Sequence, residues 1–581
     1  MMTEPASPLL FPETLNFPAL WRQLGKTHNL NAKDFTWLSH VKLATQALRS
    51  RQTPPMLAQS IHIHAGTAPS VTLAGCFILS ETPDDQGAIL YTPYDGIKKY
   101  ESLATLKKQL EKRLKDAEED DLLLTFIALD QRRDIVEQRQ RTLTFEAIEG
   151  DIFDHQKAQI LASQQRNAQT TLDELKRLPS LTSMLETLLN GLLNIRLPHI
   201  NQALTRVNFY LDAALGSANA ASPTQSVRHW HDSISLSDAV LMVYRNQGWP
   251  TDQMHEFSHP GRAPFDRDQA VWEEALDAVA GKLQVLLFQQ LQHYWQAPAE
   301  TGTPRNTFFS AVLQEQARAD LMIKRESAIL SADKFAVLHQ MIQPDALPAG
   351  RPTIENVRIW EYQPEYVELA GSLMISHIDA CLYTPTHGLQ VLKDYPDLRD
   401  TVLSKFGARG HQDEFYGLLS MQERNRFIGF NRPNVTGESL GGEPFKVLCE
   451  AIITKQRQNI AYALQVFRHS DGGVDIHSLF DKALDIRAML HERLLTLDAG
   501  ERWSTRPVLT GVQQPSEVLA HKATRIADTC DLENIVLTGT FRGQPTATEA
   551  EQRRYLDTLK GRLSNVLLSG VTHEAQLRVM S

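Results

Sequence analysis

Between Ser60 and Pro93 the chain alternates β-branched or aromatic residues with polar ones. "SIHIH", "SVTLAGCFILS" and "GAILYTP" are broken by "AGTAP" and "TPDDQG". That is the pattern of a three-stranded antiparallel meander. So small a sheet needs a helix over its apolar face. One follows: Leu103, Leu106, Leu110 and Leu114 share a helical face, and Ser102 stands where an N-cap belongs. The acidic run 118–121 reads as a solvated helix end, and the apolar run 122–129 as a buried segment. Helical periodicity then dominates over 153–178, 181–197 and 266–295. The pattern predicts an α+β fold, mostly helical, with a small antiparallel meander packed on helices.

The same pattern returns later in the chain. "VTLAGCFILS" from Val71 and "VELAGSLMIS" from Val367 are identical at five of ten positions, 296 residues apart. That offset also pairs Ile61 with Val357 and Ile63 with Ile359. "LYTPYDG" from Leu90 and "LYTPTHG" from Leu382 are 292 apart, and so are "GDIF" at Gly150 and "GEPF" at Gly442. "LDAVAGKLQVLL" from Leu276 matches "LDTLKGRLSNVLL" from Leu556. Collinear matches with a slowly drifting offset predict two tandem divergent copies of one unit. The expected division is an N-terminal tail over 1–14, a first unit over 15–300, a linker over 301–309 and a second unit over 310–581. In each copy a glycine, Gly75 or Gly371, falls inside an apparent strand. A bulge or close backbone contact is expected there.

Composition narrows the function. The chain has 581 residues and a formal net charge of −10, which argues against a nucleic-acid groove built from clustered Lys and Arg. Four cysteines (Cys76, Cys381, Cys449 and Cys530) are far apart, with no C-x-x-C pair. Neither a disulfide framework nor a cysteine zinc site is expected. The N-terminus lacks a basic stretch followed by an apolar run, so no cleavable signal peptide is read there. No run approaches eighteen apolar residues.

Two short motifs suggest chemistry. "HEFSH" contains His255, Glu256 and His259. On a helix this spacing would place two imidazoles on one face for zinc, with Glu256 as general base. Glu273 is the nearest third ligand. Against this, Pro250 and Pro260-Gly261 bracket the segment, favouring a loop or short turn in which the histidines do not share an ion. The second motif, "GESLGG" from Gly437, fits a serine-nucleophile elbow at Ser439. Here Pro433 is expected to break any preceding strand, and the first unit has no serine at the matching place. Its glycines read as turn residues before a helix.

The stretch "GAILYTPYDGIKKYESLATLKKQLEKRL" and the later "VWEEALDAVAGKLQVLLFQQLQHYW", with Trp272, Tyr294 and Trp295, carry a family likeness. The chain resembles the dermonecrotic toxin-like N-terminal domain of large proteins from plant- and insect-associated bacteria. The resemblance covers most of the first unit and, more loosely, the second. It implies a non-catalytic binding, targeting or delivery module of a toxin or effector. Such a module would be made in the bacterial cytoplasm and exported by a specialised system, with a protein partner in a host or competitor cell. It brings no catalytic residues and no small-molecule cofactor. Two other readings compete: a zinc metallopeptidase using His255, His259, Glu273 and Glu256, and a membrane-inserting component using amphipathic helices such as 181–197. A bundle core is the simpler use of such helices.

Overall fold

The computed structural model describes residues 30–490, apart from short stretches of which 214–226 and 343–353 are the longest. The fold is mostly helical α+β, with small antiparallel sheets packed on helices. The first sheet comprises β1 (Leu57–Ala65), β2 (Val71–Thr72), β3 (Phe77–Ser80), β4 (Gln86–Thr92) and β5 (Gly96–Ser102). Two helices follow, α1 (Leu103–Lys115) and α2 (Leu129–Glu137). Then come β6 (Arg141–Ala147), which pairs with β1, and the long helix α3 (Ile152–Lys176).

The local reasons are visible in the sequence. Ser102 Oγ accepts the Thr105 N–H at 3.1 Å and caps α1. Leu103, Leu106, Leu110 and Leu114 are buried against one face of the sheet. The other face meets the main core, so β3 is buried along its whole length and carries no polar alternation. The meander is larger than the three strands expected. β5 gives no strand signal in the sequence because Lys98 and Glu101 are exposed on it, as suits an edge.

A middle layer follows. Helix α4 (Leu181–Arg196) precedes β7 (Arg206–Ala213) and β8 (Val227–Ser235). Helix α5 (Leu236–Asn246) leads to β9 (Met254–Ser258). The three strands form a sheet in the order β8-β7-β9. The helical stretch 266–295 is two helices, α6 (Asp266–Gly281) and α7 (Leu283–Gln296), interrupted at Lys282. The stretch read as a linker is occupied by structure. Helix α8 (Arg305–Glu326) begins within it, and Phe308 and Phe309 are buried. Helix α8 packs on α3 and also on a long helix of the second half, so the two halves share one core.

The elements of the second half follow an order similar to that of the first. Strands β10 (Glu355–Trp360), β11 (Tyr366–Ile375), β12 (Cys381–Thr384) and β13 (Gly388–Val391) precede helices α9 (Tyr395–Gly407) and α10 (Met421–Ile428). Strand β14 (Asn434–Thr436) then pairs with β10, before helices α11 (Pro444–Arg468) and α12 (Ile476–Leu484). The order β13-β12-β11-β10-β14 mirrors β5-β4-β3-β1-β6. On α9, Leu398 and Val402 are buried, as Leu106 and Leu110 are on α1.

Individual hydrogen bonds recur at the offsets read from the sequence. Ile148 N–H donates to Ala58 C=O at 2.9 Å, and Leu440 N–H to Ile354 C=O at 2.8 Å. His64 Nε2 meets Thr144 Oγ1 at 2.7 Å, and Trp360 Nε1 donates to Thr436 Oγ1 at 3.0 Å. Leu129 N–H donates to Asn167 Oδ1 at 2.9 Å, and Met421 N–H to Asn459 Oδ1 at 2.7 Å. The late sequence match from Leu556 lies outside the described residues.

The two glycines behave alike, with one correction. Gly75 is not mid-strand but in a turn between β2 and β3, at φ +81°. Thr72 pairs with His62 and Ile78 with Gln59, so six steps on one side face three on the other. In the second half Glu368 pairs with Arg358 and Leu373 with Asn356, five steps against two. Each bulge thus holds three extra residues, and Gly371 sits in its bulge at φ +71°.

Candidate functional site

The "HEFSH" segment is neither helix nor loop. Its first four residues lie in β9, an edge strand paired with β7, with His255 opposite Phe209 and Phe257 opposite Val207, and His259 follows directly as a bridge residue. Along a strand His255 and His259 are separated by about 13 Å, at about 3.3 Å per residue, so one ion cannot hold both. His255 Nε2 does come within 3.7 Å of Glu273 Oε2, but the imidazole lies flat on Trp249, with centroids 4.0 Å apart. Strand alternation turns Glu256 to the other face. Among the described residues no three histidine, cysteine or carboxylate groups gather as a metal site requires.

The prolines bracket the strand without breaking it, because a side chain completes its edge. Gln269 Oε1 accepts the Phe257 N–H at 2.6 Å, and Gln269 Nε2 donates to Phe257 C=O at 2.7 Å. The amide takes the place of a neighbouring strand. Phe257 itself is buried and stacks on Trp272 at 5.7 Å. Gln269→Ala is expected to leave both backbone groups without their partner and cost about 1–3 kcal/mol. Urea unfolding measures the cost, and faster amide exchange at Phe257 would locate it.

Ser439 is exposed beside an isolated bridge to Glu355. Pro433 does not prevent a strand: β14 starts at the next residue. It is a three-residue antiparallel edge strand, however, whereas a nucleophile elbow leaves a buried strand of a βα unit. A third arrangement was not read from the sequence. Ser60 Oγ lies 2.9 Å and Glu146 Oε2 3.4 Å from His62 Nε2, with Thr72 Oγ1 at Nδ1. A catalytic relay needs serine and carboxylate on opposite ring nitrogens, and here they share one. Burial pushes the His62 imidazole below its ordinary range, with Glu146 pulling the other way. The matching pair in the second half is Arg358 with Glu438, so this is a recurring cross-strand contact.

The feature with the character of a site is a cavity of about 430 Å³ in the second half. It lies between the start of β11, the N-terminal turn of α10 and one face of α11. Ser420 and Glu423 form a capping box on α10. Glu423 faces the cavity, and Lys455 Nζ of α11 meets its two oxygens at 2.5 and 2.6 Å. Lys455 is 5% exposed, so this is a buried pair. The Glu368 N–H also points at Glu423 Oε1, at 3.4 Å. At the rim Arg426 donates to the Tyr366 carbonyl at 3.2 Å. The Arg358 guanidinium sits 4.4 Å over the Tyr366 ring, and Glu368 carries Arg358 Nε at 3.6 Å. Tyr362 and Ile428, on the adjoining loop and helix end, are exposed. No sequence motif marked these residues. Comparing the two units position by position would have exposed them, since 292 residues earlier Lys455 and Glu423 are replaced by Ser163 and Gln131.

Set against known proteins, the chain matches no protein family and no curated sequence. No helix among the described residues is long and apolar enough to cross a membrane.

Proposed function

We propose that the chain is a non-catalytic recognition module built from two copies of one unit. The toxin-type resemblance suggests that it docks a larger activity, or itself, on a target cell. The observation that carries this reading is the second-unit cavity. It is of small-molecule size, lined by positioned polar groups, and rimmed by exposed tyrosine and arginine, the residue types on which recognition surfaces concentrate their energy. The recurring contacts support duplication, in which one copy can serve as scaffold while the other acquires a ligand. Fluorescently labelled chain is expected to bind insect or plant cells saturably, with unlabelled chain competing. Binding that rises linearly without saturation on both cell types would remove the docking reading.

A further inference from the structure

The cavity is best understood against the same place in the first unit. There Arg166 of α3 grips Asp130 of α2, with Nε at 3.0 and 2.8 Å from the two carboxylate oxygens. The positions 292 residues later are Gln458 and Gln422, both at the cavity. The first unit therefore has an ion pair at the positions that form the mouth in the second, and neutral Ser163 and Gln131 at the positions of Lys455 and Glu423. The second unit has the reverse: an ion pair, Lys455 with Glu423, at the back and two amides at the opening. That exchange opens the mouth while keeping the interior charges satisfied.

The lining then defines a ligand. Lys455 is matched by Glu423, Arg358 lies between Glu368 and Glu438, and Arg426 is the third cation beside these three carboxylates, so neither sign of charge is left in excess. A net anion would be brought against Glu423 and Glu368, and a net cation against Lys455 and Arg426. Desolvating either without a free counter-charge is costly. What the wall does offer are the planar amides of Gln422 and Gln458, which donate and accept side by side, and the donor-only guanidinium edge of Arg426. The Tyr366 ring adds an apolar surface, 40% exposed and held by Arg358. Hydroxyl groups, each both donor and acceptor, on a ring with an apolar face complement this set.

We propose that the cavity is a saccharide-binding site that takes one or two neutral sugar rings, and that this is how the second unit docks. The proposal rests on the docking reading above. Its test is the intact chain on an array of neutral, sialylated and sulfated oligosaccharides, followed by calorimetry with the free methyl glycoside of whichever neutral sugar scores. One group of neutral sugars is expected to bind. The double variant Gln422→Asp/Gln458→Arg, which grafts the first unit's ion pair across the mouth, is expected to weaken binding at least about tenfold with unchanged thermal melting. Arg426→Gln, at an exposed position, is expected to weaken it without removing a member of the Lys455–Glu423 or Arg358–Glu368 pair, and serves if the double variant melts early. An array without neutral-sugar binding, or equal affinity in Arg426→Gln and the folded double variant, would overturn the assignment. Mild periodate oxidation of target cells separates the two levels. Saturable cell binding that survives oxidation discards the sugar site and leaves docking standing, whereas no saturable binding to untreated cells discards docking itself.

Discussion

Glu315→Ala is expected to destabilise the chain by about 3–5 kcal/mol, the range for stripping one partner from a buried ion network. The Glu315 side chain is 3% exposed, inside the interface between α2 and α8. Arg132 meets it with two nitrogens at 3.3 and 2.7 Å, and Arg318 adds a third at 2.6 Å. Arg132 also donates Nε to Ile127 C=O at 2.9 Å, so it cannot swing away to water. Removing the carboxylate leaves two guanidiniums facing each other in a nearly dry site. By contrast, the exposed Glu443–Lys446 pair on α11 is worth less than about 1 kcal/mol. Urea denaturation of Glu315→Ala and Glu443→Ala side by side measures the contrast, and similar midpoints would refute it. The pH dependence has a definite sign. Burial opposes ionisation of Glu315, but Arg132 and Arg318 together outweigh it and hold the carboxyl below its ordinary value. Its contribution is therefore present above the ordinary carboxylate range and is lost as pH falls through the depressed folded value. Wild type and Glu315→Ala should converge only at the acid end.

What the sequence revealed, and what it hid, follows the range of the interactions. Helix α1 was legible because its four leucines and its Ser102 cap lie within thirteen consecutive positions. The bulges were legible through glycines that have no use in a regular strand. Strand β9 was not, because what completes it is Gln269, twelve residues away and on another element. Two bracketing prolines therefore looked decisive when they were not. The cavity was hidden for the same reason. Glu423 meets Lys455 32 residues on and Glu368 55 residues back, and neither spacing belongs to a known motif. Trp272, Tyr294 and Trp295, prominent in the sequence, are buried packing residues. Their polar ends are taken by Gln202, the Glu174 carbonyl and Gln456, respectively. Prominent side chains mark the core here, while the candidate site uses residue types that are common on any surface.

Gly371→Ala is expected to cost about 3–5 kcal/mol, near the top of what single substitutions do. Two effects combine. At φ +71° an alanine is in the left-handed region, which by itself costs on the order of 1 kcal/mol relative to glycine. A β-carbon there would also run into the Met489 carbonyl oxygen and come within 2.8 Å of Pro385 Cγ. The first of these is backbone, held by the Met489 N–H bond to the Ile486 carbonyl at 2.9 Å, so it cannot yield as a flexible side chain would. Relief requires moving either the β11 bulge or the segment after α12, and both are anchored: Ala370 N–H donates to Leu418 C=O at 2.9 Å. Gly87→Ala gives the comparison. It too carries a positive-φ backbone cost, at φ +102°, but a β-carbon there would meet nothing within 4 Å. Gly371→Ala should therefore be the more damaging of the two by at least about 1 kcal/mol in urea or thermal unfolding. Equal losses would mean that the segment at Met489 does not press on the bulge, and that backbone conformation alone selects glycine at both places.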